Sequence, residues 1–415
     1  MNLHVPQNEL ARAEAYHIAN ADNQYVVPTD GSPLRGLIQD NVLSGVLLTK
    51  LDTFLSRMDY QQLIYSCLQI SPTLKLRTPV PTILKPAVLW TGKQVLKGVL
   101  DLLTADRPPI NLTSKSKVPA SSWAQHSEEG VVIIRNNELL CGVLDKNQFG
   151  DAGYGLVHAV YELYGGATSG ELMSTLGRLF TLYLQTQAFT CGIDDMLLQP
   201  FAEKQRAALR VEADQMGLKA ACQFVEIEYN PARPHEVHRL LQEKIKADRN
   251  NSARLDGAMK SALNPFTSSI IGACLPKGQY KSFPANNMSV MTLSGAKGSS
   301  VNFSQISCLL GQQELEGRRV PMMATGKTLP SFRKYDPSPR AGGYVADRFL
   351  TGIKPQEYYH HCMAGREGLI DTAVKTSRSG YLQRWYGGTN MHARTRSFTL
   401  CSLLPYIHLF FFPLL

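Results

Sequence analysis

One stretch constrains the fold more than any other: a helical pattern that starts at Pro355 and holds to about Arg384. Pro355 occupies the position of a first helical residue, and Glu357 puts a carboxylate into the first turn, where the helix dipole favours it. Roughly 30 residues at about 1.5 Å each span ~45 Å, the width of a small domain. Ordinary helices average only about 11–12 residues. Gly368, Thr372, Thr376 and Gly380 recur every fourth residue, so one ridge carries only small side chains, with Ala373 and Ser377 on the next. Such a ridge serves either close packing on another helix or the approach of a bulky planar group to the backbone. Asp371 and Lys375 can pair at i, i+4 in the favourable order, and Arg366, Arg378 and Arg384 add further cations. Gly365 and Gly368 each cost roughly 1 kcal/mol relative to Ala, which makes bending easier.

At about 100–200 residues per domain, 415 residues suggest several domains. The spacing around Asn8 to Ile18 predicts a short helix, and Asp30, Gly31, Ser32 and Pro33 mark a turn. From Leu34 to about Leu100, short apolar runs alternate with Pro-rich breaks, the texture of short strands and small helices. Val131 to Leu140 reads as a hairpin turning at Asn136-Asn137. Between Phe201 and Leu263 charge density rises and Pro and Gly thin out. Val237, Leu240, Leu241 and Ile245 form one apolar stripe, and the run from Phe201 to Val225 looks similar. Two such helices around a Pro-containing break predict a projecting helical hairpin. The fold class expected is α+β, multi-domain and mixed, with that hairpin and one long helix.

Lys and Arg outnumber Asp and Glu by 43 to 34, and the resulting net charge of +9 fits contact with a polyanion. Cys67, Cys141, Cys191, Cys222, Cys274, Cys308, Cys362 and Cys401 form no C-x-x-C pair, which argues against a zinc knuckle and a dense disulfide scaffold. Reduced, mostly buried thiols of an intracellular protein are expected, and the first ten residues have neither the basic nor the apolar region of a secretory signal. Ser294 to Ser300 (SGAKGSS) resembles a phosphate loop but has Gly298 where a P-loop needs Ser or Thr after its Lys. A tight Gly turn presenting Lys297 is the alternative. His235 and His238 share a helical face without a third ligand. His360-His361-Cys362 and Asp194-Asp195 are consecutive and diverge. No nucleophile signature is present.

Four longer words go beyond these patterns: Ile83-Leu-Lys-Pro86 with Leu89-Trp-Thr-Gly-Lys-Gln94, Ser294-Gly-Ala-Lys-Gly-Ser299, Gly311-Gln-Gln-x-x-Glu-Gly-Arg-Arg-Val-Pro321 and Gly365-Arg-Glu-Gly-Leu-Ile-Asp-Thr-Ala-Val-Lys-Thr376. In order and length they resemble the largest subunit of multisubunit DNA-directed RNA polymerases. Gln313 to Arg319 (QELEGRR), Arg340 to Gly343 (RAGG), Phe349 to Pro355 (FLTGIKP) and Lys375 to Tyr381 (KTSRSGY) are similar to the RNA polymerase I form. Forms II and III usually carry Thr before that Pro, and Ala-Glu-Thr in place of Ser-Arg-Ser.

The resemblance runs from Met1 to about Arg384 and implies an order of parts: residues 1–46 end the active-site region, 47–195 form a pore region, 196–330 a funnel with its helical hairpin, and 331–384 the start of the cleft with the bridge helix. Residues 385–415 match nothing in the family. By resemblance, Thr376 and Ser377 would contact the templating nucleotide, with Thr372, Lys375 and Tyr381 in the same nucleic-acid-binding set. Gln312 and Gln313 would lie by the nucleotide channel where funnel and bridge helix meet. The implied activity is transcription of DNA into RNA by nucleotidyl transfer in the nucleus and nucleolus. The implied partners are template DNA, RNA, nucleoside triphosphates, and the second-largest and smaller polymerase subunits.

In the family, Mg2+ is held by an aspartate word whose last two residues match Met1-Asn2, and Zn2+ by a clamp upstream. Neither ligand set occurs in this sequence, so no catalytic or metal-binding residue is expected here, and the chain alone is expected to be inactive. The competing reading is a non-catalytic binding or assembly module, or a truncated product without function. Phe398 to Leu415 is mostly apolar, but Pro405, Pro413 and His408 interrupt it, and no membrane insertion is expected.

Overall fold

The computed structural model describes residues 3, 5–27, 30–67, 78–105, 107–124, 127–230, 234–248 and 250–393, with side chains at 234, 383, 384 and 386–393 excepted. The expectation for the apolar tail therefore falls almost wholly outside the described residues. The chain divides into two compact units. One comprises residues up to Thr190 with Ser289–Gly298 and the helix residues from Ser379; the other comprises Cys191–Met288 with Ser299–Arg378. Mixed helices and small antiparallel sheets agree with the α+β expectation.

The first unit contains α1 (Glu9–His17), α2 (Asp40–Thr49), β1 (Phe54–Leu55), α3 (Arg57–Cys67), β2 (Trp90–Thr91), α4 (Gly92–Leu103), β3 (Leu112–Lys115), β4 (Val131–Arg135), β5 (Glu138–Cys141), α5 (Lys146–Phe149), α6 (Leu156–Tyr164) and α7 (Gly166–Gln187). Asn8 caps the predicted first helix, its side chain accepting from the Ala11 N–H at 2.7 Å. Thr91 and Gln94 form a reciprocal capping box that starts α4. The first turn of α4 lies against α2 so closely that a Cβ on Gly92 would meet the Leu48 carbonyl oxygen at 1.9 Å. Val95, Leu96, Val99 and Leu100 of α4 face Leu172, Leu176, Leu179 and Phe180 of α7 within one core, each almost fully buried. A side chain so buried contributes roughly 1.5–3 kcal/mol, so these eight alone outweigh any single polar contact of the unit.

The predicted hairpin is present, with Asn136 at φ 50° and Asn137 at φ 66°, the left-handed pair that its two-residue turn requires. Beyond the expectation, β3 adds to β4 and extends the hairpin to three antiparallel strands. Asn137 also ties the turn to the core. Its side chain accepts from the Ile110 N–H and donates to Asp101 and Thr104.

The second unit is built on α8 (Pro200–Val225), α9 (Pro234–Ala247) and α10 (Asn250–Cys274). Here the expectation needs correction. The main partner of α8 is α10, and α9 is the shorter element between them that packs with both. Leu255, Met259, Leu263, Ile270 and Cys274 are the buried apolar face of α10. Pro265 inside the helix and the Asn-rich start hid that face from a reading that looked for uninterrupted periodicity. Proline is tolerated within a helix when tertiary packing outweighs its cost of ~3 kcal/mol. After α11 (Asn287–Leu293) come α12 (Ser300–Ser307), β6 (Gly311–Gln312), β7 (Tyr344–Val345) and the long α13 (Pro355–Ala393). Strand β6 pairs antiparallel with β7 and brings the Gln-Gln word beside the 340s. Helix α13 has 39 residues, about 58 Å at 1.5 Å each, and runs past Arg384, where the periodic pattern gave out.

Candidate functional site: the long helix and the loop at its root

The root of α13 is held by charge and by hydrogen bonds. Glu357 is buried, and its carboxylate accepts from Arg340 Nε at 2.9 Å and from the Lys354 N–H at 3.1 Å. Arg340 also donates to the Gln356 side chain. An acidic residue here both neutralises Arg340 and closes the first turn, where helix N–H groups have no intrahelical partner.

The loop after β6 grips the helix twice. Nδ1 of His361 lies 3.0 Å from Oε1 of Gln313, and the Glu316 N–H donates to Glu367 Oε1 at 2.7 Å. Gln313 is itself buried. Gln312 donates to the Gly342 and Gln313 carbonyls at 2.8 and 2.9 Å, while its Oε1 is buried without a hydrogen-bond partner. Lys260 of α10 pairs with Glu314 at 2.6 Å, fixing the same loop to the helix pair. The two glutamines, predicted on resemblance alone, thus sit at a junction of α10, β6 and α13.

Past this grip the helix is open from Gly368 to Arg378, where every residue is exposed. A Cβ added at Gly365, Gly368 or Gly380 would meet nothing within 4 Å. Close packing of the small ridge on another helix is therefore not what the described residues show. Thr372 and Thr376 turn their hydroxyls back onto the Gly368 and Thr372 carbonyls at 2.8 and 2.9 Å. Lys375 pairs with Asp371, as its spacing predicted, and Ser377 and Tyr381 are exposed. Leu369, Ile370, Val374 and Leu382 are exposed on the same stretch, an unusual concentration of apolar surface for a solvated helix.

The remaining candidates have structural or unremarkable settings. Gly295 and Gly298 both adopt positive φ, 76° each, and the turn they shape carries an exposed Lys297. Asp195 is buried and accepts from the Gly192 and Asn287 N–H groups, fastening two segments of the second unit. Lys281 beside Asp194 holds that carboxyl below the usual range. His238 Nδ1 lies 3.5 Å from the Lys334 carbonyl, and His235 is exposed. Among the described residues no group of three or more His, Cys, Asp or Glu is placed to hold a metal ion. The described cysteines are free, with Cys67, Cys222, Cys274 and Cys308 buried. No described helix is long and apolar enough to cross a membrane. His360, noted in the sequence only as one of three consecutive candidates, is fully buried at the root of α13 and stacks on Phe332, a setting that spacing does not report.

This arrangement, a two-helix arm, a glutamine loop and a long open helix gripped at its root, has counterparts in known sequences. Sequence profiles for RNA polymerase Rpb1 domain 3, domain 4 and domain 5 match residues 24–196, 236–345 and 352–386, in that order. The chain belongs to the family of largest subunits of DNA-directed RNA polymerases. Over 388 residues it is 54% identical to the DNA-directed RNA polymerase I subunit rpa1 of Schizosaccharomyces pombe, covering 92% of this chain and 23% of that protein. With the RNA polymerase I subunit rpa1 of Dictyostelium discoideum it shares 52% over 390 residues, 92% of this chain and 24% of the relative. Identity to the RNA polymerase III subunit RPC1 of Homo sapiens is 34% over 391 residues, 92% of this chain and 26% of the relative. The difference puts the chain on the RNA polymerase I branch. It spans about a quarter of the length of the curated relatives it matches.

Proposed function

We propose that this chain supplies the pore, funnel and bridge-helix parts of the largest subunit of RNA polymerase I, a nuclear and nucleolar enzyme that transcribes DNA into RNA. In this reading residues 1–46 complete the active-site region, 47–195 are the pore region, 196–330 the funnel and 331–384 the start of the cleft. Template DNA, RNA, nucleoside triphosphates and the other polymerase subunits are its partners.

The observation that carries the reading is the small ridge of α13, open above Gly368 and Gly380 while the helix root is gripped. A flat base can approach such a ridge to within contact of the backbone, with Thr376 and Ser377 against it and Lys375 and Tyr381 alongside. Thr372 extends the same surface. Gln312 and Gln313 would border the path of incoming nucleotides. The exposed apolar residues of α13 would be covered by other parts of the complete enzyme. Among the described residues no group of three or more His, Cys, Asp or Glu is placed to hold a metal ion, and the role proposed for the residues named here is to position nucleic acid.

The test is Thr376→Trp in a complete RNA polymerase I that carries this segment. Elongation on a DNA template should slow by at least about tenfold, ~1.4 kcal/mol of barrier, with subunit assembly intact. Normal elongation by an assembled variant would show that the ridge does not face the template.

A further inference from the structure

We infer that Lys260 of α10 is a positioning residue for the long helix. Through Glu314 and the turn at 315–318 it sets where the small ridge of α13 stands. The role rests on the reading that this ridge meets a template base. The segment after β6 forms a short strap. Leu315 and Arg318 exchange backbone hydrogen bonds, each 2.9 Å, around Glu316 at φ 50° and Gly317 at φ 74°. That is a closed two-residue hairpin turn, which moves as one piece. Among the described residues, two polar contacts join 314–318 to other elements. Glu314 pairs with Lys260 Nζ at 2.6 Å, and the Glu316 N–H donates to Glu367 Oε1 at 2.7 Å. The flanking residues repeat the arrangement: Gln313 meets His361 at 3.0 Å, and Arg319 faces Asp256 at 3.7 Å. Asp256 and Lys260 are one turn apart on α10, so the strap ties that face to α13.

Lys260 and Glu314 keep 41% and 31% of their side-chain surface exposed, so their pair adds little to overall stability. Its effect is on direction. The internal bonds of the turn fix its shape but not its place, and α10 supplies the anchor against which it holds Glu367. A Cβ on Gly365 or Gly368, on either side of Glu367, would meet nothing within 4 Å. A shift at Glu367 therefore passes to the open stretch from Gly368 to Arg378 without being absorbed by packing. The same two glycines make this part of α13 easier to bend. Reaction geometry is sensitive to such shifts, since about 1 Å of misplacement can cost ~100-fold in rate.

The test is Lys260→Glu, with the charge swap Lys260→Glu/Glu314→Lys as its rescue. Both are made in the full chain and in a complete RNA polymerase I that carries this segment. In the chain, hydrogen exchange of the Glu316 amide reads the contact with Glu367 directly. It should speed up at least threefold in Lys260→Glu, while the Leu315 and Arg318 amides, bonded within the turn, keep their protection. In the polymerase, the maximal rate of nucleotide addition should fall at least threefold. KM for nucleoside triphosphates should stay within twofold, because Lys260 acts on the helix and not on the nucleotide. The swap should restore both the amide and the rate to within twofold of the unmodified protein. An unchanged Glu316 amide, loss of protection throughout the turn, or a swap that stays as slow as the single variant would overturn the assignment. Faster exchange with normal elongation would overturn it as well. Thr376→Trp in the same polymerase then separates the two failures: if that variant slows elongation, only the role of Lys260 is wrong, and if it does not, the template reading has failed and the role with it.

Discussion

His360 makes the base of the long helix sensitive to acid. Its ring is fully buried, neither nitrogen has a hydrogen-bond partner, and it stacks on Phe332 at 6.0 Å and 17°. Burial, reinforced by the Arg340 guanidinium, lowers its pKa from 6.5 to about 4. The neutral ring is therefore the form that folds, while the unfolded chain takes up a proton near pH 6.5. Stability from this residue is fully present above pH 6.5 and is lost as pH falls towards 4, because in that window the unfolded state binds more protons. The whole shift is worth about 3 kcal/mol at ~1.36 kcal/mol per unit, and about 2 kcal/mol of it is gone by pH 5. Urea unfolding of the chain at pH 7.5 and pH 5 measures the loss, and His360→Phe isolates it from other titrating groups. The variant should lose about 2 kcal/mol less than the unmodified chain over the same interval. At pH 7.5 it should be at least as stable, since phenylalanine leaves no unpaired ring nitrogen in the core. Equal losses in the two proteins would refute the reasoning by showing that the imidazole reaches water or a partner before it charges.

Other expectations follow from single contacts. Glu357→Gln should weaken the root of α13 by about 2 kcal/mol, because it removes a charged acceptor of Arg340, itself partly solvated, and of the Lys354 N–H. Hydrogen exchange of amides 358–367 should accelerate about 30-fold, and unchanged protection would place the grip elsewhere. Asn137→Ala should cost about 2–4 kcal/mol in denaturant unfolding, since it strands the Ile110 N–H and puts at φ 66° a residue that tolerates left-handed backbone less well than Asn. Asn136→Gly, at φ 50° and on the exposed side of the turn, should be neutral or slightly stabilising. Phe180→Ala should cost about 3–5 kcal/mol, as the ring is fully buried edge-on to Phe149 at 5.2 Å. A loss below about 1 kcal/mol would mean the core collapses around the gap.

Much of this protein is local and could be read from its residues. Pro355 and Glu357 start the long helix where they stand, Asn136-Asn137 turns the hairpin, and Asp371 finds Lys375 one turn on, because caps, turns and i, i+4 pairs depend only on neighbours along the chain. The Gln-Gln word and the small ridge were legible as words and as a spacing. What each touches was not: the ridge could equally have packed on a helix, and only the fold leaves it open. Helix α10, hidden by Pro265, became the partner of α8 because burying Leu255, Met259 and Leu263 against it outweighs local propensity. The grip of His361 on Gln313, the stacking of His360 on Phe332 and the pairing of Lys260 with Glu314 all join residues dozens of positions apart. Burial, and with it the cost of an unpaired nitrogen or a shifted pKa, comes from the sum of long-range packing, which no local pattern encodes.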